Sequence, residues 1–213
     1  FGLSPNADVR AEDVESHGLA GVRFTLVHGD ERAPVYTRLP GRAMVYNALA
    51  AAAAAIVDGL ELPDVAEALS QAQIPTRLTA HPGVGGSLII DDTYNASPAS
   101  MRAALDLLAE VPGRKFAVLG DMRELGAAEM DGHREIGRHA ARTADVIYTV
   151  GDLGRWIGDT AIAEGHPNVH ILSDKSQIAA ELRAQLAAGD VVLLKASRAM
   201  ELETVLEELR DEA

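Results

Sequence analysis

From Val22 to Leu39 apolar and polar positions alternate along the chain. Val22, Phe24 and Leu26 interleave with Arg23, Thr25 and Val27, Gly29-Asp30 supplies a turn, and Pro34 to Leu39 runs back, so the segment predicts a hairpin broken by Pro40-Gly41. Met44 to Leu60 carries seven alanines with Gly59 near its end and predicts a helix. A second helix is expected from Pro63 to about Gln71, with proline in its first turn. Ile74-Pro75 ends that helix and marks a domain boundary, dividing the chain into residues 1–75 and 76–213.

Beyond the boundary the pattern changes. Short apolar runs at Ser87–Ile90, Lys115–Leu119, Val146–Val150, Val169–Leu172 and Val191–Leu194 read as strands. Helical stretches follow at Pro98–Ala109, Met130–Arg142, Gly154–Glu164, Lys175–Ala188 and Arg198–Leu209. Such alternation predicts an α/β fold with a mostly parallel sheet and helices on both faces. One more strand, Leu78–Ala80, is expected to pair antiparallel with the first across His81–Gly86. Gly83-Val84-Gly85-Gly86 lies between those two strands, so it reads as a hairpin turn rather than a phosphate loop.

Composition narrows the classes of function. A hydrophobic share of 47% in 213 residues supports a packed core, and with few aromatics that core is built from Ala, Val, Leu and Ile. A net charge of -13 argues against nucleic acid and anionic membrane surfaces as partners. The longest apolar run, Ala48–Val57, is too short to cross a bilayer, so no membrane insertion is expected. The absence of cysteine excludes disulfides and thiolate zinc sites and fits a cytoplasmic protein. The chain opens on Phe1 in a polar stretch without a secretory signal, which leads to the expectation of a piece of a longer protein.

In an open parallel sheet, ligands bind beyond the carboxyl ends of the strands. Three ends carry polar clusters: Asp91-Asp92-Thr93-Tyr94-Asn95, Gly120-Asp121-Met122-Arg123-Glu124, and Lys195-Ala196-Ser197-Arg198. Ser97 before Pro98 is an expected helix cap, and Ser197 is expected to cap the last helix. Helix starts attract anions, and Lys195, one of only three lysines, and Arg198 add positive charge beside one. Taken singly, each residue has a plainer reading: caps at Ser97 and Ser197, a turn at Asp91-Asp92, and Lys195 paired with Asp92 or Asp121. Three clusters on one edge favour a binding site. His133, on a helix, reads as a surface or packing histidine rather than a ligand, and Trp156 as a packing residue. No G-x-x-x-x-G-K-[ST] sequence occurs, so a phosphate cradle of that type is not in these residues.

The run Ile90-Asp91-Asp92-Thr93-Tyr94-Asn95-Ala96-Ser97-Pro98-Ala99-Ser100-Met101 resembles the Mur ligases, as does Val118-Leu119-Gly120-Asp121-Met122-Arg123-Glu124-Leu125-Gly126. Leu194 to Glu201 is similar more loosely, with Ala196 where the family usually has glycine. Pro40 to Ala51 resembles the end of the family's central ATPase domain, with Ala43 where histidine is usual. Within the family, the first two motifs are closest to the members that add D-alanyl-D-alanine.

The resemblance implies that residues 1–75 are the second half of a central ATP-binding α/β domain and residues 76–213 a Rossmann-like carboxy-terminal domain. The UDP-binding domain, the P-loop half and the carbamylated lysine that helps hold Mg2+ would lie in a missing amino-terminal half. The implied reaction joins D-Ala-D-Ala to a UDP-N-acetylmuramoyl tripeptide with ATP through an acyl phosphate, in peptidoglycan precursor synthesis. This part alone would be inactive. By the same resemblance Arg77 would reach the phosphates, Asp92 the ribose and Asn95 the adenine side, with Asn47 near the nucleotide. Lys195 and Arg198 would serve catalysis, Tyr94, Asp121, Ser197 and Arg198 would meet substrate, and Lys195, Ser197 and Arg198 would receive the dipeptide carboxylate. No metal ligand is assigned in this chain. Two alternatives stand: a Mur-type ligase with another amine acceptor, and a phospho-signalling receiver domain. The receiver reading needs an Asp ending the middle strand, whereas Val150 is followed by Gly151-Asp152.

Overall fold

The computed structural model describes residues 1–72 and 78–210. The chain falls into two compact units, Phe1–Pro75 and Thr76–Ala213.

In the first unit β1 (Val9–Ser16), β2 (Val22–His28) and β3 (Glu31–Thr37) form an antiparallel meander, β1-β2-β3. The alternation read in the sequence places Val22, Phe24 and Leu26 on one face. They pack against Val45, Leu49 and Ala52 of α1 (Met44–Val57) and Val65 of α2 (Leu62–Gln71). Strand β1 was not expected from the sequence. Its register with β2 shifts between Glu12 and Glu15, and Asp13 sits at φ 52, so the apolar alternation is interrupted within the strand.

The second unit holds a six-stranded sheet in the order β4-β5-β9-β6-β7-β8. Its strands are β4 (Thr79–Gly83), β5 (Ser87–Asp92), β6 (Lys115–Leu119), β7 (Val146–Val150), β8 (Val169–Leu172) and β9 (Val191–Lys195). Only β4 runs antiparallel, against β5. It extends to Gly83, three residues past the predicted end, and the turn is a short 3-10 segment, Val84–Gly86.

Helices α3 (Pro98–Glu110), α4 (Glu129–Thr143) and α5 (Gly154–Ala163) pack side by side on one face. On the other face α6 (Ser176–Arg183) and α7 (Glu203–Leu209) cover Ile89, Phe116, Val118, Tyr148, Val192 and Leu194. Helix α3 starts where predicted. Ser97 and Ser100 form a reciprocal capping box, and Pro98 opens the first turn.

Two helices of this unit differ from the sequence reading, and in the first unit α1 stops at Val57, three residues before the predicted Leu60. The run Lys175–Ala188 stops at Arg183, because Ala187 N–H is taken by Asp190 in the turn that feeds β9. The last helix starts at Glu203 instead of Arg198. A 3-10 turn, Arg198–Met200, comes first, and Glu201 at φ 49 separates it from α7. Ser197 therefore does not cap the last helix, and its hydroxyl is used elsewhere.

Candidate functional site

Chain order and spatial order part company at β9. It returns from the far edge and inserts between β5 and β6. The loop after β5 leads to α3 on one face, the loop after β9 to α7 on the other, and the loop after β6 to α4 on the first again. Neighbouring loops diverge, and this opens a crevice over the carboxyl ends of the three strands. A cleft of about 720 Å³ lies there, lined by Tyr94, Asn95, Arg123, Glu124, Glu129, Leu153, Ser197, Arg198 and Ala199.

The floor of the crevice is an ion pair. Register puts Asp92 opposite Lys195 across β5 and β9. Lys195 Nζ donates to Asp92 Oδ2 at 2.5 Å and to the Asn95 carbonyl at 2.9 Å. Both side chains are buried, Lys195 to 1% exposure and Asp92 to 8%. A buried charge demands a partner of opposite sign, and here the pair also anchors the loop that carries Tyr94 and Asn95. Asp91 is still in β5, and its side chain shapes the turn that follows: Oδ1 accepts from Thr93 N–H at 3.0 Å and from Thr93 Oγ1 at 2.8 Å.

The β6 and β9 loops are stitched together. Ser197 N–H donates to the Asp121 carbonyl, and Ser197 Oγ accepts from Arg123 N–H at 2.8 Å. Asp121, 1% exposed, accepts from Leu153 N–H and Gly154 N–H through Oδ1 and from Arg123 through Oδ2. It thereby holds the start of α5 and steers Arg123. Gly151 makes room for it: at φ +98 a Cβ there would lie 2.2 Å from Asp121 Oδ1. Gly120 likewise leaves space for the buried Ala196, whose Cβ is 2.7 Å from where a Gly120 Cβ would stand.

Arg123 and Arg198 bring positive charge to the cleft, with side chains 53% and 65% exposed. Each touches a carboxylate, Asp121 and Glu203 respectively. A guanidinium carries five donors, so one such contact does not exhaust it. This pair suits a carboxylate or phosphate ligand. Glu124 stands at φ 67 at the cleft rim, an uncommon conformation for a residue with a side chain.

Of the residues named from the sequence, Tyr94, Asn95, Ser197 and Arg198 line the cleft, Asp92 and Lys195 pair beneath it, and Asp121 braces it. Asn47 lies on α1 of the first unit, its amide donating to Met44 Sδ. Arg77 lies outside the described residues. Arg123, Glu124, Glu129 and Leu153 were not singled out as site residues. Arg123 and Glu124 stood within a quoted strand-end cluster, but Leu153, on the β7–α5 loop, carries no polar signal. Among the described residues no three His, Asp or Glu side chains gather in a way that could hold a metal ion.

An open α/β sheet with a cleft at its topological switch, lined by two arginines and two glutamates, defines a Rossmann-like domain. Residues 76–198 match the family model described as Mur ligase, glutamate ligase domain, and the chain belongs to the Mur ligase family. The chain is 34% identical over 98% of its length to the Bacillus subtilis UDP-N-acetylmuramoyl-tripeptide–D-alanyl-D-alanine ligase, of which it spans 46%. It is similar to a crystal structure of MurF from Acinetobacter baumannii, with a TM-score of 0.84, 30% identity and coverage of 96% of this chain and 45% of that one. It is also similar to MurF ligase from Thermotoga maritima solved in complex with ADP, with a TM-score of 0.78, 29% identity and coverage of 96% and 46%. The chain thus spans about half the length of the relatives it matches. Family membership sets aside the receiver-domain reading.

Proposed function

We propose that this chain is the carboxy-terminal part of an ATP-dependent amide ligase that joins D-alanyl-D-alanine to a UDP-N-acetylmuramoyl tripeptide. The observation that carries the reading is the cleft at the switch point with the Arg123 and Arg198 guanidiniums over it, in a chain so similar along its length to a ligase of that name. In this reading the tripeptide carboxylate attacks the γ-phosphate of ATP, the bond to the departing ADP breaks, and an acyl phosphate forms. The dipeptide amine then attacks the acyl phosphate carbon, and phosphate leaves. Negative charge develops on phosphoryl and carbonyl oxygens, and Arg123 and Arg198 offset it from the cleft. Tyr94, Asn95 and Ser197 shape the wall that receives substrate, and Asn47 and Arg77 serve the nucleotide. Asp92 and Lys195 act together: their buried pair holds the Tyr94–Asn95 loop in place beside the ribose and adenine side. Asp121 acts through Arg123. Residues 1–75 are the second half of the central ATP-binding domain and residues 76–213 the carboxy-terminal domain. Magnesium is bound mostly by residues outside this chain, which by itself does not turn over ATP.

No helix among the described residues is long and apolar enough to cross a membrane. We place the reaction in the cytoplasm, in keeping with a chain that has no cysteine.

The test is phosphate release by the full-length protein with ATP, magnesium and the UDP-linked tripeptide, with and without D-Ala-D-Ala. Release that requires the dipeptide, and falls about a hundredfold in Arg123→Ala, is expected. Release driven only by another amine moves the reading to a different Mur-type ligase. No release with any amine refutes it.

A further inference from the structure

His133 is the one histidine on α4 that is wholly buried, at 0% exposure, and its side chain does not line the cleft. Its two ring nitrogens meet groups with fixed roles. Nδ1 lies 2.5 Å from the Glu129 carbonyl, which can only accept. Nε2 lies 2.9 Å from Met122 N–H, which can only donate. One state of the ring satisfies both: neutral imidazole with the proton on Nδ1. The partner groups assign this tautomer.

Met122 stands between Asp121, which braces the cleft from below, and Arg123, which lines it. On one side Asp121 accepts from Leu153 and Gly154 and holds the Arg123 guanidinium. On the other side Arg123 N–H donates to Ser197 Oγ, and Glu124 follows at φ 67. The turn therefore hangs on two backbone N–H anchors, His133 for Met122 and Ser197 for Arg123. The helix start comes close enough for this because residue 132 is glycine: a Cβ there would meet Pro98 Cγ at 3.0 Å and Leu125 Cδ1 at 3.2 Å. Glu129, whose carbonyl fixes the ring, itself lines the cleft.

We infer that His133 is a positioning residue for the cleft, holding the Asp121–Glu124 turn, and with it Arg123 and Glu124, through an acceptor that only the Nδ1–H imidazole offers. This deepens the ligase reading and rests on it for the catalytic consequence, though not for the placement of the turn. Losing the acceptor leaves Met122 N–H buried without its bond and frees the turn to relax out of its left-handed end at Glu124.

The experiment has two arms, both on the full-length protein. The first reads the parent protein and uses a variant only for assignment. Histidine-ring nitrogen spectra, with the His133 signal assigned by its loss in His133→Gln, are expected to show a neutral ring protonated at Nδ1, and the Met122 amide is expected to exchange slowly with solvent. A ring protonated at Nε2, or fast exchange at Met122, overturns the inference whether or not the protein proves to be a ligase. The second arm compares His133→Gln, whose amide oxygen can stand near the Nε2 position, with His133→Phe, which fills volume and offers no acceptor. His133→Phe is expected to lower kcat/KM for the dipeptide by about thirtyfold and speed exchange at residues 122–124. His133→Gln is expected to recover to within about threefold of the parent. Equal losses in both variants, or none in His133→Phe, count against a positioning role. If the parent shows no dipeptide-dependent turnover while the first arm holds, the ligase reading fails and the placement of the turn stands.

Discussion

The two ends of the same three strands use charge in opposite ways. At the amino ends of β6 and β9, Arg114 grips Asp190 with two hydrogen bonds, Nε to Oδ1 at 3.2 Å and a terminal nitrogen to Oδ2 at 2.7 Å. Asp190 also accepts from Ala187 N–H, and Arg114 stacks over Phe116 at 4.6 Å. Those turns are tight: at φ +117 a Cβ on Gly113 would lie 2.0 Å from the Gly189 carbonyl. At the carboxyl ends the charged groups brace loops that diverge to opposite faces, and two guanidiniums are left half-exposed over a cleft. Charge that closes on itself makes a corner of the fold. Charge that holds diverging loops open makes a site.

The largest effect that would break this contrast is expected at Lys195. Lys195→Met leaves the Asp92 carboxylate buried without the ammonium, and the second unit should lose about 3–5 kcal/mol in urea unfolding. Lys175→Met sharpens the point. Its pair with Glu201 is 29% and 68% exposed, so under about 1 kcal/mol should be lost. A wild-type unfolding midpoint for Lys195→Met would mean that the pair does not anchor the loop.

At the amino ends, Gly113→Ala combines a disfavoured φ with a backbone collision and should cost about 2 kcal/mol by the same measurement. The cleft should be untouched, so dipeptide-dependent turnover of the full-length protein should stay within about twofold.

The smallest effect is set by pH. Burial works to raise the Asp190 carboxyl, but the Arg114 guanidinium and the Ala187 N–H outweigh it, and the net direction is down from 3.8. A carboxyl depressed in the fold contributes stability above its unfolded value, and that contribution is lost as pH falls through the lower folded value. Asp190→Asn should therefore differ from the parent by under about 1 kcal/mol at neutral pH, since Arg114 is 44% exposed and water screens the pair. The difference should shrink below pH 3.8. Parallel pH–stability curves would show that the pair contributes nothing.

Much of the second unit could be read from the chain because its strands are short apolar runs and its helices have their own signals, such as the Ser97–Ser100 box. The failures are also local in cause. Strand β1 hides behind a shift in register, and the last helix is cut by a left-handed Glu201 that no composition rule forecasts. His133 looked like a surface or packing residue because a histidine on a helix carries no mark of what meets its second nitrogen. Arg123 was in view, but the bonds that aim it come from Asp121 and from Ser197, the latter 74 residues away.

The sequence by itself determined the alternation of strands and helices, the three polar strand ends and the family. Periodicity and capping are short-range properties, fixed by neighbours a few residues apart. Only the tertiary structure decided that β9 lies between β5 and β6, that Lys195 turns to an Asp92 that is 103 residues distant, and that His133 reaches the turn holding Arg123. Those facts depend on strand register and on which helix packs where, and the folded chain settles them only by pairing residues that no local pattern links.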